Sequence, residues 1–564
     1  MQIKNLKVAT LPDMLRSAAD RQPEKGFAFE ENDGVTFLTY PQILREAKAW
    51  AARWQTLGLQ PGDCVLVIMA TAPLFAPVYW SLILCGAIPC VLPSPTLIQG
   101  NALGVEKLRQ VGLRLKARWL VTSEHEIDIW GENAFPFPIK SIEEVASLSP
   151  ASFTPPDINP EDIALIQASS GSTSQPKCIA LTHLNVLANL YQSEDRLQAS
   201  PNDVTVSWLP LFHDMGLIGC FLFVTYCQMK GVLIPPANFI RRPVRWLQAF
   251  TDHKGSLSPA PNFAYALALR RVSAAEQASL DLSSWRSAMC GAEPIDARVL
   301  QAFAKRFQPS GFDPTALTPC YGLAEAALCV TMKEMKRPLA VETICRETAA
   351  TEQIAKVVPS NPNGQETLAT LDVCDCGPPV VETIIEIRDE QGRVRQSGEI
   401  GRVWISSPSL MREYVGEPEK TAVTLQHGWL DTGDVGYLRK GHLFIVGRLK
   451  ETIIIRGQNY YPTEFEQAAA ELPQVELGKV VALGIYNERE GSEQLHLVIE
   501  MRQKGDFEGV QTAVQQHVTE RTGIMPACVT LVPRHTITRT TSGKLQRYRL
   551  KMNYEQLVQQ TQYS

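Results

Sequence analysis

Apolar positions along the chain change period as they run from one end to the other. In "YPQILREAKAWAARWQTLG", from residue 40, they recur at helical spacing and stop at a glycine. The unbroken run "CVLVIM" from residue 64 then reads as a buried strand. Similar helix and strand pairs recur to about residue 330, which predicts parallel sheets covered by helices on both faces. Residues 340 to 375 are more polar and less regular. After them come short alternating strands with turn signals, "ETIIEIRDEQGRV", "GEIGRVWISS" and "GYLRKGHLFIVG", which predict a small β-barrel or curled sheet. From 448 onward α+β character returns through "ETIIIRG", "PTEFEQAAAEL", "LHLVIEM" and "VQTAVQQHVTERTG".

One apolar stretch, "LFAPVYWSLILCGAIPCVL" at 74 to 92, approaches membrane-spanning length, but Pro77, Gly86 and Pro89 divide it into a buried helix and a short buried strand. No membrane span is expected. With 564 residues, 45% of them hydrophobic and 20% charged, the chain can build two or more domains with substantial cores. A net charge of -5 without long blocks of one sign excludes the basic stripe that nucleic acid requires. The 13 cysteines are scattered, and "CDC" at Cys374 and Cys376 lacks the CxxC spacing of zinc sites and redox dithiols. They read as reduced thiols, mostly buried. Together with "MQIKNLKVATLPDML", which has no signal-peptide core, they point to the cytoplasm.

Between two apolar segments stands "SSGSTSQPKC", residues 169 to 178. A loop so rich in Gly, Ser and Thr between strands can turn its N–H and O–H groups inward around phosphate oxygens, with Lys177 adding a point charge. The Walker pattern is absent, and a strand follows where that motif requires a helix. A polar hairpin turn is the plain alternative.

The loop resembles the phosphate loop of the adenylate-forming superfamily, and other stretches match that family in order: "GAEP" at 291–294, "YGLAEA" at 321–326, "TGD" at 432–434, "GRLKE" at 447–451 and "TSGK" at 541–544. Longer runs, among them "WLPLFHDMGLIG" at 208–219 and "PCYGLAEAALCVT" at 319–331, resemble the fatty acyl-AMP ligases within it. The resemblance implies an α/β fold. A large N-terminal domain, 1–447, would combine two doubly wound α/β subdomains with a small β-barrel at about 377–447, followed by a smaller mobile α+β domain at 448–564. It also implies activation of a fatty acid by ATP and Mg²⁺ to an acyl-adenylate. Transfer to the phosphopantetheine thiol of a separate acyl carrier protein would follow. An acyl-CoA ligase is the alternative, and a catalytically weak nucleotide-binding relative a further one.

Carried over residue by residue, the resemblance assigns phosphate binding to Ser169, Ser170, Gly171, Ser172, Thr173 and Lys177, with Thr173 foremost. The adenine slot falls to Gly291, Ala292, Glu293, Pro294, Tyr321, Gly322 and Leu323, and the ribose to Asp434 and Arg448. Glu325 would be the magnesium ligand, a hard oxygen donor suited to an ion that also binds phosphates. Lys544 would bring positive charge to the carboxylate and α-phosphate together. Its neighbours Arg547, Arg549 and Lys551 read as a solvated basic face. Lys450 takes the hinge position. His213, Met215, Gly216, Ile240 and Pro261 would line the acyl pocket, where Asp214 leaves room for an amino-acid substrate as an alternative. An insertion at about 335–375 would restrain the small domain and favour a carrier protein over CoA. The chain departs from the family at Ser174 and Cys178, where glycines are usual, and at Thr538, where a proline is. A positive φ at either of the first two would strain the loop.

Overall fold

A computed structural model describes residues 6–32, 34–95, 101–131, 134–150, 152–169, 176–358, 370–456, 458–476, 478–487, 491–501, 507–539, 545–554 and 557, with the backbone alone at 101–103 and 507–508. The chain is mixed α/β. Its main sheet has eight strands in the order Cys329–Met332, Leu317–Gly322, Ser287–Cys290, Leu257–Ala260, Val204–Ser207, Lys230–Leu233, Gly26–Glu30 and Val35–Thr39. Its inner pairings are parallel and the outermost pair at each end is antiparallel. A second sheet, Ile88–Val91, Cys64–Val67, Trp119–Thr122 and Ile139–Ser141, is parallel throughout. The strand Cys64–Val67 is buried and apolar at every position, which is why it reads as an unbroken run.

Local chemistry fixes the elements between these strands. The helix Tyr40–Thr56 starts in a capping box of Thr39 and Gln42 and buries Ile43, Ala47, Trp50 and Trp54 on one stripe. The helix Phe75–Leu84 is buried along its whole length, and Gly86 with φ +68° turns the chain into the strand Ile88–Val91. The apolar run at 74–92 is therefore core. Among the described residues no helix is long and apolar enough to cross a membrane.

The region predicted as barrel or curled sheet forms a five-stranded antiparallel sheet of Ile384–Arg388, Gly401–Ser406, Leu425–Gln426, Trp429–Arg439 and His442–Arg448. The segment before it is more ordered than its polar sequence suggested. Val341–Cys345 pairs with Thr370–Cys374, and the short helix Arg346–Thr351 follows the first strand. Residues 359–369 lie outside the described residues. Beyond 448, the strands Val480–Asn487, Ser492–Glu500 and Cys528–Val532 pack on the helices Pro462–Ala469 and Phe507–Thr522 around a core of their own, centred on Phe465, Leu497 and Val514.

Arg346 joins the segment before the antiparallel sheet to this last unit. Its guanidinium Nε lies 2.6 Å from Glu464 Oε2, off the line of a hydrogen bond, and the two side chains are only 7% and 2% exposed. Nη1 and Nη2 donate to the carbonyl oxygens of Arg521 and Thr370. Ala350 packs against the same small core.

The 13 cysteines are all free, and all but Cys320 and Cys528 are buried. His183 is a buried polar side chain with a pH consequence. It is 2% exposed and its Nδ1 accepts the Leu11 N–H at 3.2 Å. Burial holds its pKa down to about 4, although Asp162 and Asp13 pull the other way. A depressed histidine stabilises the fold above its unfolded pKa, and that contribution is lost as pH falls toward 4 because the unfolded chain takes the proton first. Thermal denaturation at pH 7 and pH 4.5 is expected to show a larger loss for the wild type than for His183→Asn, which retains an acceptor for Leu11. The differential is at most about 3 kcal/mol. Equal losses would mean that His183 does not titrate with folding.

Candidate active site

A cleft of about 1750 Å³ runs between the large sheets and the unit after residue 448, with walls from both. At one end of it, Tyr321, Asp434 and Arg448 meet. The Tyr321 hydroxyl donates to Asp434 Oδ2 at 2.6 Å, and Arg448 Nε donates to Oδ1 at 2.7 Å. Asp434 is 3% exposed. Burial, and then the charge of Asp434, push the Tyr321 phenol well above its ordinary pKa, so it stays a donor. Ala292, Glu293, Pro294, Gly322 and Leu323 line the same end. Gly291 stands behind them, where a Cβ would lie 2.9 Å from Cys320 Oand Sγ. Ala292 holds φ at +69°, a left-handed conformation uncommon for a residue with a side chain and concentrated at functional loops.

Elsewhere on the cleft wall, Ser169 and Lys177 face each other across an antiparallel pair formed by Ile163–Ser169 and Lys177–Thr182. Ser170, Gly171, Ser172, Thr173 and Ser174 lie outside the described residues. Lys177 Nζ donates to Glu325 Oε1 at 2.8 Å and to the Tyr414 hydroxyl at 3.1 Å, while Tyr414 donates to the same Oε1 at 2.8 Å. Burial alone would raise the Glu325 pKa. The Lys177 charge and the two hydrogen bonds outweigh it and hold the carboxyl below its ordinary range. Both bonds fall on Oε1, and Glu325 faces the cleft. An ionised, oxygen-only ligand facing the cleft is of the hard donor type that magnesium takes.

A family model described as AMP-binding enzyme matches residues 15–415. The chain belongs to that family. A Caulobacter vibrioides (strain NA1000 / CB15N) relative that carries the provisional name acyl-CoA synthetase is 33% identical over 92% of this chain and 91% of its own. The medium-chain-fatty-acid–[acyl-carrier-protein] ligase JamA of Moorena producens (strain JHB) is 31% identical over 97% and 95%. A solved structure from a study of fatty acyl-adenylate ligases from E. coli and L. pneumophila superposes with a TM-score of 0.90 at 32% identity, covering 99% of this chain and 100% of that one. The resemblance to the fatty acyl-AMP ligases and the α/β fold it implied are both borne out.

In this AMP-binding enzyme the run 208–219 forms a turn, the short helix Asp214–Gly216 and the π-helix Leu217–Leu222, a rare form frequent at functional sites. His213, Met215 and Ile240 line the cleft beside Ile218 and Phe223. Gly216 and Pro261 stand just outside the lining. A Cβ on Gly216 would lie 2.2 Å from the Pro210 carbonyl oxygen, so the glycine serves packing, and Pro261 caps the helix Asn262–Arg271 whose first residues line the wall. Asp214 is engaged locally, 2.6 Å from His213 Nδ1 and accepting the Met215 N–H at 2.7 Å.

Lys544 lies outside the described residues, but its flanks are placed. Arg539 bridges to Leu545, the Gln546 N–H donates to the Thr538 carbonyl oxygen, and Arg539, Leu545 and Gln546 line the cleft. Lys450 sits on the turn Leu449–Glu451 in the same wall. Arg547 departs from the solvated basic face read from sequence. It is nearly buried and pairs at 2.7 Å with both Glu451 and Glu466. Cys178 lies in an extended strand, buried near Cys64 and Cys90, without positive φ, so that position is unstrained. Tyr414 and the Arg346–Glu464 pair were missed, and nothing local in "REYVG" or "ICRET" signals them.

Replacing Asp434 with Asn preserves the shape but removes the charge that Tyr321 and Arg448 address. The affinity for AMP, measured by calorimetry, is expected to fall about tenfold. Unchanged affinity would remove Asp434 from the nucleotide site.

Proposed function

We propose that this enzyme condenses a fatty carboxylate with ATP to an acyl-adenylate, releasing pyrophosphate, and passes the acyl group to the phosphopantetheine thiol of a separate acyl carrier protein. The observation that carries the reading is the pairing, along one cleft, of the Lys177–Glu325–Tyr414 cluster at the phosphate loop with the Tyr321–Asp434–Arg448 cluster, beside an apolar end. In the first half-reaction a carboxylate oxygen bonds to the α-phosphorus and the bond to pyrophosphate breaks. In the second, the thiol sulfur adds to the acyl carbon, AMP departs, and the thiol proton goes to solvent.

Within that scheme Asp434 accepts from the ribose hydroxyls and the Tyr321 ring forms one wall of the adenine slot. Ser169 to Lys177, Thr173 foremost, hold the β- and γ-phosphates. Bound magnesium would neutralise charge on the phosphates and be held by Glu325. Lys544 concentrates positive charge where carboxylate and α-phosphate meet. His213, Met215 and Ile240 shape the acyl end, and the local engagement of Asp214 favours an alkyl chain over an ammonium-bearing one. A large part at 1–447 and a small mobile part at 448–564 turning at Lys450 suit the two half-reactions. The free cysteines suit the cytoplasm.

The relative named as an acyl-carrier-protein ligase supports the carrier as acceptor, and the relative named as an acyl-CoA synthetase favours the alternative. The Arg346–Glu464 pair bears on this choice because it fastens the inserted segment to the small part. Excising the segment would leave Glu464 buried without its partner, at a cost of about 3–5 kcal/mol. Exchanging both residues for methionine is the cleaner test. Incubation with ATP, a panel of fatty acids, and either CoA or a phosphopantetheinylated carrier is expected to give acyl-carrier from the wild type and a several-fold rise in acyl-CoA from the double variant, with adenylation retained. Efficient acyl-CoA synthesis by the wild type would promote the alternative. Lys544→Ala is expected to slow pyrophosphate release at least about a hundredfold, and near-normal exchange would exclude it from catalysis.

A further inference from the structure

The helix Asn262–Arg271 gives the cleft one continuous stripe of wall. Phe263, Ala266, Leu267 and Arg270 line the cleft at positions i, i+3, i+4 and i+7, so they share one helix face over about 10 Å of its length. Ala264, Tyr265 and Ala268 are buried, and the Tyr265 hydroxyl donates to the Met289 carbonyl oxygen at 2.9 Å. The start of this helix has no cap from its own segment, because Pro261 at the cap position makes no side-chain hydrogen bond. Helix starts leave amide donors to be satisfied from elsewhere. Glu293, thirty residues further along the chain, does this: its Oε1 accepts the Phe263 N–H at 2.6 Å. A carboxylate suits that position by charge as well as by hydrogen bonding, since the aligned amides leave partial positive charge at a helix start. Glu293 is itself placed by the turn after the strand Ser287–Cys290, where Ala292 holds φ at +69° and Gly291 packs too closely on Cys320 to admit a Cβ. Arg270, at the other end of the stripe, pairs with Glu476 at 3.0 Å.

We propose that Glu293 is a positioning residue for the acyl chain: by capping this helix from the neighbouring turn, it fixes where the stripe from Phe263 to Arg270 stands and so which chain lengths the cleft accepts. The role rests on the adenylating function proposed above. It is a second use of a residue that the resemblance gives to the adenine slot, so that one turn would serve both ends of the substrate pair. A long alkyl chain lies along more of the stripe than a short one. Slack at the helix start is therefore felt most by long chains.

The test is pyrophosphate release by the full chain with ATP, magnesium and straight-chain acids from hexanoate to palmitate, using the wild type, Glu293→Ala and Glu293→Gln. The quantity read is the ratio of kcat/KM for the longest to that for the shortest acid the wild type adenylates, in which any loss of nucleotide binding is common to both acids and cancels. Glu293→Ala removes the acceptor, and the ratio is expected to fall about fivefold, through the KM of the long acid. Glu293→Gln keeps an oxygen for the Phe263 N–H and should restore most of the ratio. Should Glu293→Ala fail to fold, Glu293→Asp takes its place, since it keeps the charge and draws the carboxylate back from the N–H, and the same ratio decides. A ratio within about twofold of the wild type, less than the loss of one such hydrogen bond would give, would overturn the positioning role, and so would an equal fall in Glu293→Gln. Adenylation by the wild type with an unmoved ratio in the variants overturns this role alone. No adenylate from any acid by the wild type would overturn the proposed function and the role with it.

Discussion

Lys177 and Glu325 stand 148 residues apart in sequence and 2.8 Å apart in the fold, with the Tyr414 hydroxyl bonded to both. They can meet only after the short sheet carrying Lys177 and Tyr414 has docked beside the turn that follows a strand of the main sheet. Buried charge is tolerated where it is paired, and removing one partner strands the other in a low-dielectric site. Folding therefore sets in advance a lysine and a carboxylate at the start of the strand Lys177–Thr182, facing the cleft. Charge placed this way needs no rearrangement at the moment of reaction, which is where preorganised electrostatics contribute most.

The same logic extends along the cleft. Asp434 is held by a phenol on one side and a guanidinium on the other, so its position is fixed from the main sheet and the antiparallel sheet together. The left-handed Ala292 turns the cleft-lining backbone where Gly291 approaches Cys320. Such a conformation persists because neighbouring strands over-determine it.

Much of this was legible in the sequence, for identifiable reasons. Strands such as Cys64–Val67 are buried on both faces, so their residues carry an unambiguous apolar signal. The strand Val341–Cys345 does not, since Val341, Glu342 and Thr343 remain partly exposed, and its hairpin passed for irregular chain. Tyr321, Asp434 and Arg448 were legible as motif residues, and the structure brings them into mutual contact. Tyr414, and the glutamates that bury Arg547, were not. Their partners come from distant elements, and a run of basic residues looks the same whether solvent or carboxylates surround it. The readings at Thr173 and Lys544 rest on the family resemblance.

The buried Arg346–Glu464 pair gives the junction between the helix Arg346–Thr351 and the unit after residue 448 an unusual response to heat. The cost of stripping water from ions falls as temperature rises, whereas the stabilisation from apolar burial levels off. A junction built on a desolvated ion pair therefore tightens relative to its apolar surroundings on warming. The hold of that helix on the unit after residue 448 would then be weakest in the cold.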